Sequence, residues 1–387
     1  MDLSLEESSH SCTKFYSHFS TVQSFDHFVS QFLSLRDGSM SIHTLNFSNG
    51  SFMRFSILRR TIKYVVSHNL QHLLVDRTCN IEYFPSCFFS CHTLTSLNLS
   101  SQMFNAFFRN LPKPIFPNSL NLPALTSLSL KYFAFAPSDD DDDDDDGCVD
   151  PFSVFKMLNT LIIDHCIVLN AQKLCISSTK LVNLTILMWD ILIDETHYIG
   201  IYFGIELYAP SLHTFSFTGC FTPKLFGSKS VFSSIKHVSI DLRCHFGIPK
   251  SRETSSLLLT WLVELANIES LTFFSNTLEV LSTVPDLLKV ELHSLCNLKS
   301  LKITMPQYDH SPIPPDKMVA FLIQNSPSAK VDIVREPIMN PMIDKEISII
   351  SVGPQAQKDK GQVANSPHDV EVRKSTRMKK PNPKYFK

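Results

Sequence analysis

Glycine is scarce in this chain, 10 residues of 387, and the shortage argues against nucleotide sites lined by bare backbone. No phosphate loop, nucleophile elbow or helix with paired metal-binding histidines occurs. Long apolar runs are missing too. The longest, 181–193, is interrupted by Asn183, Thr185 and Asp190, so no membrane span is expected. Residues 1–10 are polar and acidic, without the basic-then-apolar layout of a signal peptide, which gives the expectation of an intracellular protein, cytoplasmic or nuclear. The ten cysteines have no paired spacing, and in a reducing compartment they are expected to stay thiols that pack as small hydrophobes. An excess of one charge sign is lacking as well. The formal net charge is -2; with the eight aspartates of 139–146 set aside from the 37 acids, 29 remain against 35 lysines and arginines. That scattered excess is too small to imply a nucleic-acid partner.

What the chain does have is an apolar triplet at offsets 0, 3 and 5, repeated ten times: Ile42-Leu45-Phe47, Leu70-Leu73-Val75, Leu94-Leu97-Leu99, Leu125-Leu128-Leu130, Leu158-Leu161-Ile163, Leu181-Leu184-Ile186, Leu212-Phe215-Phe217, Ile235-Val238-Ile240, Ile268-Leu271-Phe273 and Leu298-Leu301-Ile303. Side chains two apart share one face of a strand, so offsets 3 and 5 point inward and the polar residues around them point out. Steps between first positions run from 23 to 33 residues, a spacing close to that of leucine-rich repeats. One unit cannot bury its leucines alone; neighbours must stack. The expected fold is therefore α/β: a leucine-rich-repeat solenoid, or horseshoe, with a parallel sheet on the concave face and irregular helices on the convex face. At offset 8, where such repeats use Asn or Cys, five units carry Thr78, Gln102, Cys166, Cys220 and Asn276, while others carry Gly50, Phe133 or Pro306.

Helical spacing appears outside the strands. Phe25, Phe28, Val29, Phe32 and Leu33 form one stripe with Ser24 as N-cap, and Leu58, Ile62, Val65 and Val66 form a second. Leu258, Trp261, Leu262 and Leu265 make a third, and after Pro315 the residues Val319, Leu322 and Ile323 make a fourth, followed by a strand over 329–334. The expected organisation is a disordered N-terminus over 1–21, the solenoid over 22–305 with an acidic disordered loop at 138–150, a C-terminal cap over 306–336 and a disordered basic tail over 337–387.

Ser, His and Asp are common, but no spacing selects a triad, so neither catalytic nor cofactor-binding residues are expected. The strongest metal candidate, Cys79 with Cys87, Cys91 and His92, has Cys91 and His92 adjacent and so pointing apart; Cys87 and Cys91 read as packing in the turn before Leu94, and no metal site is expected. What remains is a surface for a protein partner. The concave face should carry His43, Asn46, His72, Asn98, Asn183, His213, Lys236, His237, Glu269, Lys299 and Lys302.

In its order of parts the chain resembles the leucine-rich-repeat portion of plant F-box proteins with a C-terminal FBD-type segment. The carrying stretches are SFDHFVSQFLSLRDG, the strands LTSLNL, LTSLSL, LNTLII and LHTFSF, and the ending VAFLIQNSPSAKVDIV, within 19–334. The resemblance implies the substrate-recognition part of a cullin-based ubiquitin ligase, in which repeats hold the target and the F-box docks on the ligase adaptor. No F-box precedes the repeats here, so the expectation is target binding without adaptor docking. The stretch VRKSTRMKKPNPKYFK is similar to a linker in copia-type retrotransposon polyproteins, through RKSTR and KPNPKY.

Overall fold

The computed structural model describes residues 2–7, 11–15, 22–36, 38–48, 55–76, 81–101, 113–118, 120–137, 147–188, 192–194, 197–198, 203–242, 252–265, 267–284, 287, 290, 292–306 and 316–336. The chain divides into the units Met1–Ile338 and Met339–Lys387, and every described residue lies in the first.

Alternation of apolar and polar residues sets thirteen strands into one sheet. These are β1 (Asp2–Glu7), β2 (Ser11–Phe15), β3 (Ile42–Ser48), β4 (His72–Val75), β5 (Ser96–Ser100), β6 (Ser127–Lys131), β7 (Thr160–Asp164), β8 (Asn183–Met188), β9 (Thr214–Gly219), β10 (His237–Leu242), β11 (Ser270–Phe274), β12 (Ser300–Pro306) and β13 (Lys330–Glu336). Their order in the sheet is β2-β1-β3-β4 and then straight through to β13, with every pair from β3 onward parallel. The fold is mixed α/β around this large sheet.

Register follows the triplets. Leu45, Leu73, Leu97, Leu128, Leu161, Leu184, Phe215, Val238, Leu271 and Leu301 form one row of directly paired residues, and the offset-5 residues form a second row beside it. Every residue of the ten triplets is at most 4% exposed. A one-residue slip would turn both rows out to solvent, so burial fixes the pairing. The buried carbonyls at offset 0 find hydroxyl donors in the next unit: Thr93 Oγ1 donates to Leu70 O at 2.7 Å, Ser178 Oγ to Leu158 O at 3.2 Å and Ser234 Oγ to Leu212 O at 2.8 Å.

The layer behind the inward rows differs along the chain. Helices α1 (Val22–Leu35) and α2 (Phe55–Val66) back one end; α3 (Lys229–Ser234), α4 (Arg252–Glu264), α5 (Ser275–Ser282) and α6 (Asp316–Asn325) back the other. In α2 the buried Ile57, Leu58, Thr61, Ile62 and Val65 recur every three or four residues and form its core stripe. In α4, Trp261 lies edge-on to Phe215 and Phe217, with ring centroids 5.5 and 5.2 Å away, and its Nε1 donates to Pro223 O at 3.1 Å.

Between the two helical ends, the expected irregular helices give way to strands. Cys148–Val149, Lys173–Ser177, Gly204–Tyr208 and Leu225–Gly227 form a second, four-stranded parallel sheet. Alternation again explains it: Leu174 and Ile176, and Ile205 and Leu207, are buried two apart. Cys148 and Cys175 are joined across this sheet in a disulfide with Cα atoms 6.0 Å apart, which corrects the expectation that all cysteines are thiols. The spacing of 27 residues carried no sign of it, because the pairing depends on two strands stacking.

Other boundaries also moved. The segment 1–21, expected to lack order, contains β1 and β2, and β1 runs antiparallel along β3 from Asp2 opposite Ser48 to Leu5 opposite Leu45. It occupies the edge that β3 would otherwise leave unpaired. Helix α1 begins at Val22, so Ser24 lies inside it and is not its cap. The expected loop 138–150 ends in order: Cys148–Val149 is a strand, and Asp150 Oδ1 accepts from the backbone N–H groups of Phe152 at 3.1 Å and Ser153 at 3.0 Å. Residues 138–146 and the tail 337–387 are outside the described residues. Helix α6 and strand β13 stand where the terminal cap was expected, but α6 buries Met318, Phe321 and Leu322 and leaves Ile323 42% exposed. No helix among the described residues is long and apolar enough to cross a membrane.

Candidate functional site

Strand alternation puts the residues at offsets 2 and 4 on the side of the sheet opposite the buried rows, while offset 1 stands at the strand entry, is half-buried or exposed, and in His213 meets the offset-2 ring of His237. All eleven face residues named from the sequence fall in these positions on or just before a strand. His43 and Asn46 are on β3, His72 on β4, Asn98 on β5 and Asn183 on β8. His213 enters β9, Lys236 and His237 enter β10, Glu269 precedes β11, and Lys299 and Lys302 belong to β12 or its entry. His72, His213, His237 and Lys299 are exposed and the others half-buried.

The structure brings some of them together and keeps others apart. The His213 and His237 rings meet edge to face with centroids 4.9 Å apart. Glu269 accepts a hydrogen bond from Lys299 Nζ and has Lys236 Nζ 3.7 Å away on its other oxygen. The Lys299 hydrogen bond, with the Lys299 and Lys236 charges behind it, holds the Glu269 carboxyl below the ordinary carboxylate range. Asn183 Nδ2 donates to Thr160 Oγ1 at 3.3 Å, while Thr95 Oγ1 and Thr126 Oγ1 each donate to the preceding unit's carbonyl at 3.0 Å. His43, Asn46, His72 and Asn98 belong to β3–β5, several strands from the lysines of β10–β12.

Two constellations were not found from the sequence. Where β6 and β7 end, Tyr132 (φ 62) and His165 (φ 55) take the left-handed conformation, which turns the chain off the strand. Asp164 there accepts from His165 Nδ1 and sits 3.4 Å from Lys131 Nζ, while Lys113 Nζ donates to the His165 carbonyl at 2.5 Å. Burial lowers the pKa of both Lys113 and His165, and it pushes the Cys166 thiol up to about 12. A thiol with that pKa is almost wholly protonated near neutrality, so Cys166 is no nucleophile. It donates instead to Leu130 O at 3.5 Å and Asp164 O at 3.6 Å, the backbone-satisfying role that its offset-8 position suggests. Lys113 lies 52 residues before His165 in the chain, and no local pattern could pair them.

The second constellation surrounds Glu206. Its carboxylate accepts from Lys173 Nζ at 2.9 Å and Tyr208 Oη at 2.5 Å, and the Tyr208 hydrogen bond, then the Lys173 one, lowers its pKa. Cys148, Cys175 and Glu206 offer three metal-type ligand atoms within 4.8 Å of one another. The sulfurs are bonded to each other and the carboxylate is held by an ammonium, so this donor set is already engaged. Of the sequence's own metal candidates, Cys91 Sγ lies 3.4 Å from Thr93 Oγ1 in the turn before Leu94, Cys87 is half-buried on a 3-10 turn, His92 is exposed and Cys79 is outside the described residues.

No protein-family model, curated protein or solved structure matches the chain.

Proposed function

We propose that this chain is a leucine-rich-repeat solenoid that binds a protein partner across the concave, polar face of its main sheet, acting without catalysis. One observation carries the reading: ten consecutive parallel strands, β3 to β12, bury offsets 3 and 5 while offsets 2 and 4 stay half-buried or exposed on the opposite side and offset 1 stays half-buried or exposed at the strand entry. Parallel sheets normally have both faces covered, so an open one is a surface kept available. The order of parts, from the α1 segment through the strands to the α6 and β13 ending, supports a relative of the target-recognition portion of plant F-box receptors with an FBD-type ending. A cytoplasmic or nuclear protein target fits that reading.

The test is affinity capture from plant extract with the full chain as bait, beside a Ser129→Arg/Thr185→Arg double variant. Both positions are half-buried on the open face of β6 and β8. Partners retained by the wild type and lost by the variant, with unchanged circular dichroism and thermal midpoint, support the reading. Identical retention by the two proteins overturns it.

A further inference from the structure

The open face is divided by charge. Along the offset-1, offset-2 and offset-4 rows, β3 through β9 present amides, hydroxyls, histidines and a few apolar side chains, but no carboxylate, lysine or arginine. All the formal charge of these rows falls on the last four strands. Lys236, Lys299, Lys302 and Lys330 stand there against only Glu269 and Asp332. The Lys299 and Lys330 side chains are 73% and 79% exposed, Glu269 is shared by Lys299 and Lys236, Asp332 lies beside Lys330, and by count these rows carry four lysines against two carboxylates.

From this segregation we infer that the β10–β13 end of the face receives an acidic segment of a polypeptide partner, with its carboxylates on these lysines and its neutral remainder lying toward the hydroxyl rows of β5–β9. The inference rests on the protein-binding reading and names the chemistry of the partner. Ammonium groups spaced over neighbouring strands pair singly with side-chain carboxylates, and the excess charge steers an oppositely charged chain toward this end. A nucleic acid fits less well. These positions on the four strands hold no Phe, Tyr, Trp or Arg for bases to stack on, and two carboxylates sit among the lysines against a dense phosphate backbone.

The probe is a fluorescein-labelled peptide of alternating Glu and Ser, compared with its Gln-for-Glu counterpart and a labelled single-stranded RNA, by anisotropy with the full chain. Binding of the Glu peptide is expected to be about tenfold tighter than that of the Gln peptide and to weaken several-fold as salt rises past the point where the screening length falls below about 10 Å. Lys299→Glu/Lys302→Glu should abolish the Glu preference. Lys156→Glu/Lys180→Glu, which reverses two exposed lysines elsewhere, should keep it. Equal binding of the two peptides, tighter binding of RNA, or equal loss in both double variants overturns the inference. If extract capture depends on Ser129 and Thr185 but no Glu preference exists, only this inference falls. If the Glu preference holds and extract capture is indifferent to those two positions, only the broader reading falls.

Discussion

The backbone N–H of Leu242 donates to Thr277 Oγ1 at 3.0 Å, and the same hydroxyl donates to Ile240 O at 3.0 Å. One fully buried side chain from the first turns of α5 thus satisfies both a donor and an acceptor where β10 ends. The repeat pattern puts Asn276 in this role; because α5 starts immediately after β11, the inward position falls to the next residue.

Thr277→Val keeps the shape and removes both hydrogen bonds, leaving two buried backbone groups unpaired. The expected loss is about 1–3 kcal/mol, read from urea denaturation monitored by circular dichroism. A loss under about 0.5 kcal/mol would mean that water or another group serves these atoms.

Leu161 and Ile162 are neighbours with opposite fates, one fully buried at offset 3 and one half-buried on the open face. Leu161→Asp places a carboxylate in the core and should cost several kcal/mol, enough to lose the cooperative thermal transition. Ile162→Asp should stay within about 1 kcal/mol of wild type. Comparable damage from both, or the reverse ranking, would show the register to be wrong.

Burial lowers the pKa of His165 from its ordinary 6.5, outweighing the attraction of Asp164. The unfolded chain then binds more protons than the folded one once pH drops below about 6.5, so this residue's effect is to reduce stability as pH falls from there toward the depressed folded value. His165→Asn retains a residue that tolerates φ 55 and removes the titration. Unfolding free energies at a series of pH values from 7.5 to about 5 should decline less steeply in the variant. Parallel slopes would place His165 outside this linkage.

The Cys148–Cys175 bond closes 27 residues of chain, for which loop-closure entropy predicts a contribution of about 3–4 kcal/mol. Cys148→Ser/Cys175→Ser should lower the thermal midpoint measured without reductant and leave a protein indifferent to dithiothreitol. A midpoint in the wild type that is itself insensitive to reductant would show that the bond does not form in solution.

The inward rows were legible because strand alternation and burial are local in origin: offsets 3 and 5 must share a face, and Leu128, Leu161 and Leu184 have no other way to leave water. Helices α2 and α4 were legible for the same reason, through stripes such as Leu58-Ile62-Val65. The eleven face residues could be placed, since they are the complement of the buried set. Tertiary structure alone decided what depends on distance between units: the Cys148–Cys175 bond, the reach of Lys113 to His165, the antiparallel seating of β1 on β3, and the second sheet that replaces helices behind β6–β9. It also chose Phe321 over Ile323 for the buried side of α6, because both are apolar and only the packing partner distinguishes them. A sequence specifies which side chains must leave water, whereas the neighbour each one meets is set by how the repeats stack.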